Sequence, residues 1–138
     1  MLLVLLVALA GCGGGSGGGG VAVGEYARIR GMSNLYSGYL AAHKNQTPPN
    51  EQAYREYLAT KQEELDRLGL TVDDMFTSPR GSQPLQWVYG RRPPSRAGIR
   101  YVAYETTPVD QKRLVLGTAG MYELMDDADF RSVFPNTP

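Results

Sequence analysis

Residues 13–20 are glycine throughout except for Ser16, and a stretch with no side chains to bury cannot join a core. It divides the 138-residue chain into a short apolar beginning and a segment from Val21 to Pro138. That segment, 118 residues long, suffices for one domain with a single core. Eight of the 17 glycines lie in residues 11–20, so the remainder is not glycine-rich. Apolar residues at 42% and charged residues at 20% are ordinary for a globular protein and argue against a wholly disordered chain. The one cysteine, Cys12, precedes this segment. The domain therefore has no disulfide, no thiolate metal ligand and no thiol nucleophile.

Leu2 to Leu9 is an unbroken apolar run, far short of the roughly 20 residues a membrane-crossing helix needs. Its length suits the apolar region of a secretory signal, and Ala10 and Gly11 supply the small residues that signal cleavage requires. Leu9-Ala10-Gly11-Cys12 resembles the lipobox of bacterial lipoproteins. The resemblance covers residues 1–12. It implies that residues 1–11 are a removed signal peptide, that Cys12 receives a diacylglycerol, and that its new amine is often acylated too. Residues 12–20 then form an acylated cysteine with a glycine–serine tether, whose eight small residues have a root-mean-square reach of roughly 15 Å and an extended length of about 27 Å. Two or three acyl chains make such an anchor stable. A signal normally opens with Lys or Arg, whereas Met1 runs straight into leucines; the expectation is a start site placed too late, with a basic stretch upstream. Gly13 rather than Asp follows the cysteine. In bacteria with two membranes this leans towards the outer one, so the expected location is the cell envelope, on a lipid anchor.

Periodicity organises the domain. Ile29, Met32, Tyr36, Tyr39 and His43 recur at spacings of three and four, widened by Leu35 and Leu40, which predicts a helix over residues 23–44. Gly24, Gly31 and Gly38 share another face; such a row lets a neighbour come close, although the spacing also arises by chance. Pro48 disfavours helical geometry at Thr47 and ends the helix before it. Asn50 predicts the cap of a second helix, Glu51 to Leu68, burying Tyr54, Tyr57, Leu58, Leu65 and Leu68 and stopping at Gly69. Beyond Thr71 the period changes. Leu85–Tyr89, Ile99–Glu105, Lys112–Gly117 and Met121–Met125 read as strands, with tight turns at Asp110-Gln111 and at Thr118-Ala119-Gly120. Gly90 to Gly98, holding Pro93-Pro94, reads as an extended loop, and Asp126-Asp127 as the start of a short turn through Phe130. The expected fold is α+β, with two N-terminal helices packed on one face of a three- to four-stranded antiparallel meander. That layout, over residues 24–125, resembles the soluble domain of type II secretion pseudopilins. It rests on no specific motif, and the pilin signal is absent.

Few chemistries have the residues they need. His43 is the one histidine, without the partners of a triad or a zinc site, and reads as a helix-terminal residue. Glu63-Glu64, Asp73-Asp74 and Asp126-Asp127 are adjacent acids, a pattern of helix surfaces and starts more often than of acid–base catalysis. Asp126, Asp127 and Asp129 lack the glycine and distal Glu of a calcium loop. The glycine run follows an apolar signal rather than a strand, so it is no phosphate loop. Asn45-Gln46-Thr47 matches a glycosylation sequon by accident. No catalytic residue, metal ligand or cofactor site is predicted.

Charge is the remaining signal. Net charge is zero overall, but residues 80–113 hold seven basic and two acidic side chains, a net of +5. Arg91, Arg92 and Arg96 fall within six residues, beside the stiff Pro93-Pro94 and near Trp87, Tyr89 and Tyr101. They are the candidate anion-binding residues, for an anionic glycan, a lipid headgroup or an acidic envelope protein. The alternative is an ordinary solvated loop, or pairing with Asp126, Asp127 and Asp129. Export would keep the domain from nucleic acid. The expected function is a non-enzymatic binding or scaffolding module held to a membrane through Cys12. The rivals are an accessory subunit of a secretion or pilus-like machine and a small carboxylate enzyme.

Overall fold

A computed structural model of the chain describes residues 23–138. Cys12 and the glycine–serine stretch lie outside the described residues. The first helix, α1, spans Val23–Ala42. It buries Ile29, Met32, Leu35, Tyr36, Tyr39 and Leu40, the stripe that the three-and-four spacing marks out. Beyond it the chain turns through left-handed backbone at Lys44 and Asn45 (φ 55° and 63°), and the Asn45 amide bonds the Leu40 carbonyl at 2.8 Å.

Residues 51–68 form two helices rather than one: α2, Glu51–Ala59, and α3, Gln62–Leu68. Asn50 caps α2, its side-chain oxygen accepting from the Ala53 amide at 2.9 Å. The break falls at Thr60, whose hydroxyl and amide both bond the Tyr57 carbonyl, at 2.6 and 3.0 Å. A threonine that competes in this way for a backbone acceptor interrupts a helix that apolar spacing alone would continue. Gly69 ends α3 in the left-handed conformation, and Leu70 tucks in behind it. Glycine also sets the distance between helices. A Cβ at Gly31 would lie 2.4 Å from a Leu68 methyl, and one at Gly38 would lie 3.0 Å from the Tyr57 hydroxyl, whereas Gly24 faces open space.

A short 3-10 helix, Asp73–Phe76, leads into five strands: β1 Leu85–Trp87, β2 Ser95–Arg96, β3 Ile99–Glu105, β4 Arg113–Gly117 and β5 Tyr122–Met125. All pairings are antiparallel, in the order β1-β3-β4-β5, with β2 beside the start of β3. Asp110 and Gln111 form the expected hairpin turn, both at positive φ. β2 departs from the open loop expected over residues 90–98. Ala97 and Gly98, at φ 51° and 80°, fold Ser95 and Arg96 back onto β3. Alanine avoids left-handed backbone, so Ala-Gly gives little hairpin signal.

The helices do not all lie on one face. α1, α2 and α3 cover Leu85, Trp87, Val102, Leu114 and Leu116. A fourth helix, α4, spans Asp127–Val133 and is capped by Asp126. It seats Phe130 and Phe134 on Tyr101, Tyr104, Val115 and Met125 on the opposite face. A register shift between Tyr101 and Ala103 puts Val102 and Ala103 on the same side. The class is α+β, with three α-helices before the sheet, five strands, and a fourth α-helix after it among the described residues.

Ser33 and Tyr36 join α1 to the sheet. The Ser33 hydroxyl donates to the Gly117 carbonyl at 2.5 Å and accepts from the Gly120 amide at 2.9 Å. Tyr36 donates to the Val88 carbonyl at 2.5 Å and stacks on Trp87 with ring centres 5.1 Å apart. At the far end of β3 the Glu105 carboxylate is fully enclosed. It accepts from Ser78 Oγ at 2.5 Å, Arg80 Nε at 2.9 Å, Arg80 Nη2 at 2.7 Å and the Leu114 amide at 2.8 Å.

Two outcomes follow for stability. Glu105→Gln or Arg80→Met strands a buried charge and should cost about 3–5 kcal/mol in urea unfolding, while Arg80→Met with Glu105→Leu costs less than the two single losses added. The second concerns pH. Burial pushes the hydroxyls of Tyr36, Tyr54 and Tyr89 above the usual tyrosine range, and neighbouring tyrosines add to this for Tyr36 and Tyr54. The unfolded chain therefore releases these protons first, so stability that is complete below about pH 10 should fall as pH rises further. Tyr54→Phe removes one such group and should flatten the decline in melting temperature.

Candidate functional site

The turn after α1 and the loop between β1 and β2 meet and define a cleft. The Val88 amide bonds the Val102 carbonyl and the Tyr101 amide bonds the Pro94 carbonyl, each at 2.8 Å, so the chain is fixed to β3 on both sides of the loop. Between those points it leaves the sheet. The Gly90 amide donates to the Pro48 carbonyl at 2.8 Å, and the Thr47 hydroxyl donates to the Arg91 carbonyl at 3.0 Å. Gly90 is required here: it sits at φ 62°, and a Cβ would lie 3.3 Å from the Pro49 carbonyl oxygen.

The cleft so formed has a volume of about 630 Å³. It is lined by Arg91, Arg92 and Arg100, by Asn45, Gln46 and Thr47, and by Pro49, Gly90 and Pro93. No carboxylate lines it. None of the ion pairs formed among the described residues involves Arg91, Arg92 or Arg100.

The trio singled out by sequence is divided. Arg91 and Arg92 line the cleft, but Arg96, on β2, turns to Glu123 at 3.4 Å and Asp129 at 3.5 Å. Glu123 also accepts from the Tyr101 hydroxyl. Arg100, which the spacing did not select, takes the third place from the start of β3. The signal that could have found it is its position as a charged residue at the head of a strand whose next four residues, Tyr101 to Tyr104, are apolar or aromatic. Among the described residues no aromatic ring lies under Arg91, Arg92 or Arg100, and Tyr101 instead hydrogen-bonds Arg96. Trp87 and Tyr101 are buried, and the Trp87 indole donates to the Met75 carbonyl at 2.6 Å. Nothing in the sequence linked Asn45, Gln46 and Thr47 to this loop.

The other candidates have local structural partners. His43 stacks on Tyr39 at 3.8 Å between ring centres, its Nδ1 2.9 Å from the Tyr39 carbonyl. Glu63 pairs with Arg67 at 2.8 Å, Asp73 with Arg55 at 2.7 Å and Asp127 with Arg131 at 2.8 Å. Asp126 caps α4. Hydrogen bonds from Thr71 to Asp74 hold that carboxyl below the usual carboxylate range. Among the described residues, no three His, Asp or Glu side chains converge as metal ligands.

A cleft lined by three arginines, an asparagine, a glutamine and a threonine suits a particular task. Guanidinium stays protonated and only donates, in a planar fork that matches carboxylate or phosphate. Asn and Gln both donate and accept. The arrangement can hold an anion that carries hydroxyl groups. Comparisons with known family models, with curated proteins and with solved structures find no match to this chain.

Proposed function

We propose that this chain is a lipid-anchored protein of the cell envelope, and that its domain is a non-enzymatic module that binds an anionic glycan in the arginine cleft. One observation carries the binding reading: three arginines, none of them ion-paired to a described residue, gather round one cleft that has no carboxylate. Like charges held together repel, by about 1 kcal/mol for a pair 4 Å apart in water and more near a protein surface. An anion relieves that repulsion and gains charge-assisted, bidentate hydrogen bonds. The volume of about 630 Å³ lies within the ordinary range for ligand clefts, about 300–1,000 Å³. Asn45, Gln46 and Thr47 offer partners for sugar hydroxyls, which favours a glycan over a bare lipid phosphate. The membrane reading rests on Leu9-Ala10-Gly11-Cys12.

The anchor has its own test. Cells given a fatty-acid probe should label the wild-type chain and not Cys12→Ser; equal labelling of both would remove the lipoprotein reading. For the cleft, the probes are polygalacturonate and polyphosphate, one a carboxylate polymer and the other a phosphate polymer. Binding should weaken as ionic strength rises past about 0.15 M, where the screening length is about 8 Å. Joint Arg91→Ser, Arg92→Ser and Arg100→Ser should abolish it with little change in melting temperature. Arg96→Ser should bind as wild type does, because that side chain is already committed to Glu123 and Asp129. The cleft is the wrong site if the triple variant still binds or if Arg96→Ser is the variant that fails.

A further inference from the structure

We infer that the edge of the domain formed by Tyr26, Met121 and Tyr122 rests on the bilayer that holds the anchor. The inference depends on the lipid-anchor reading and adds to it a contact surface and an orientation. Tyr26 and Met121 are the two exposed large hydrophobic residues among those described, at 43% and 48% accessible, and they lie in one neighbourhood. Tyr26 packs edge-on against Tyr122, with ring centres 5.7 Å apart, and Met121 precedes Tyr122 in the chain. Tyr122 begins β5, the outermost strand on that side of the sheet. Arg30 lies alongside, its stem against the turn at Gly120. Tyrosine rings with polar tips, a flexible thioether and an arginine that can lift its head to the phosphates are the composition of a bilayer interface.

The occupant is identified by where the chain comes in. The described chain begins with α1 at Val23, eleven residues on from Cys12 and three residues, about 4.5 Å of helix, from Tyr26. With Cys12 held in the bilayer, this corner meets the lipid surface first. The two tyrosines and the methionine then lose water without needing a specific partner. The other end of α1, about 30 Å away for a helix of 20 residues, carries the turn that lines the arginine cleft. That turn stands at the end away from the bilayer. A ligand in the space beyond the membrane is therefore better placed to occupy the cleft than a headgroup of the anchoring leaflet.

The test couples the full chain through Cys12, its one cysteine, to a maleimide lipid in phosphatidylcholine vesicles with either ordinary or brominated acyl chains. Tyr26→Trp and, in a separate protein, Met121→Trp place a fluorophore in the patch. Ala42→Trp places one at the other end of α1. The emission of buried Trp87 is subtracted using the wild type. Brominated lipid should reduce the added emission of both patch variants about twofold or more, as for side chains seated at the headgroup boundary. It should leave Ala42→Trp unchanged, and high salt should not reverse the effect. Equal quenching at positions 26 and 42, or none at both 26 and 121, would overturn the inference. So would a blue-shifted but unquenched emission, which would mean that a second copy or the chain itself covers the patch. Because the attachment is chemical, the result does not depend on acylation in cells, which the fatty-acid labelling judges by itself.

Discussion

The contact of Tyr36 with β1 fixes where α1 crosses the sheet, and the other parts take their places from that crossing. Its ring stacks on Trp87 and its hydroxyl bonds the Val88 carbonyl, so one side chain joins an apolar and a polar attachment. Three residues earlier on the helix, Ser33 ties the turn between β4 and β5 to the same face. With both ends of the meander held, α2 and α3 have one remaining surface to cover. Gly31 and Gly38 set how closely they approach. The cleft is a consequence of the same crossing. Tyr36 holds β1 just before the chain leaves the sheet, and the end of α1 delivers Pro48 and Thr47 to the point where Gly90 and Arg91 can bond them.

The basic block illustrates how one sequence property disperses in space. Arg80 is drawn inside to the enclosed Glu105, where a charge is tolerable because every oxygen of its partner is hydrogen-bonded. Arg113 lies over the Phe130 ring at 4.4 Å and bonds carbonyls of β3 and the residue after it. Arg96 joins Glu123 and Asp129 on the surface. Arg91, Arg92, Arg100 and Lys112 remain, and the three arginines among them converge on a cleft that has no acid in its lining. A net charge read along the chain overstates the binding surface, and the surplus becomes informative once the paired cations are set aside.

The cleft and the aromatic edge divide the domain's surface between two kinds of contact. The first is cationic and polar, so the ligand binding proposed for it would weaken with ionic strength. The second is apolar with polar tips, so the membrane contact inferred for it would not depend on salt. They stand near opposite ends of α1, an arrangement suited to a module that faces a membrane on one side and its ligand on the other.

Sequence alone determined the local elements, because they obey local rules. The three-and-four spacing from Ile29 to Leu40 settles which face of α1 is buried; Asn50 caps α2; Gly69 ends α3; and Asp110-Gln111 turns the hairpin into β4. It also placed Arg91 and Arg92 on an exposed loop. Tertiary structure decided the rest, because each remaining feature depends on groups far apart in the chain. The break at Thr60 is a competition for one carbonyl, and the strand at Ser95 relies on an alanine held in a conformation it avoids. α4 covers the second face because the sheet there presents Tyr104 and Val115 with no other cover. The third arginine of the cleft is Arg100 rather than Arg96 because strand pairing carries Arg96 to two carboxylates 27 and 33 residues onward. Spacing along the chain can report periodicity and turns, but ion pairs form by distance in space, and only the folded chain brings those partners within reach.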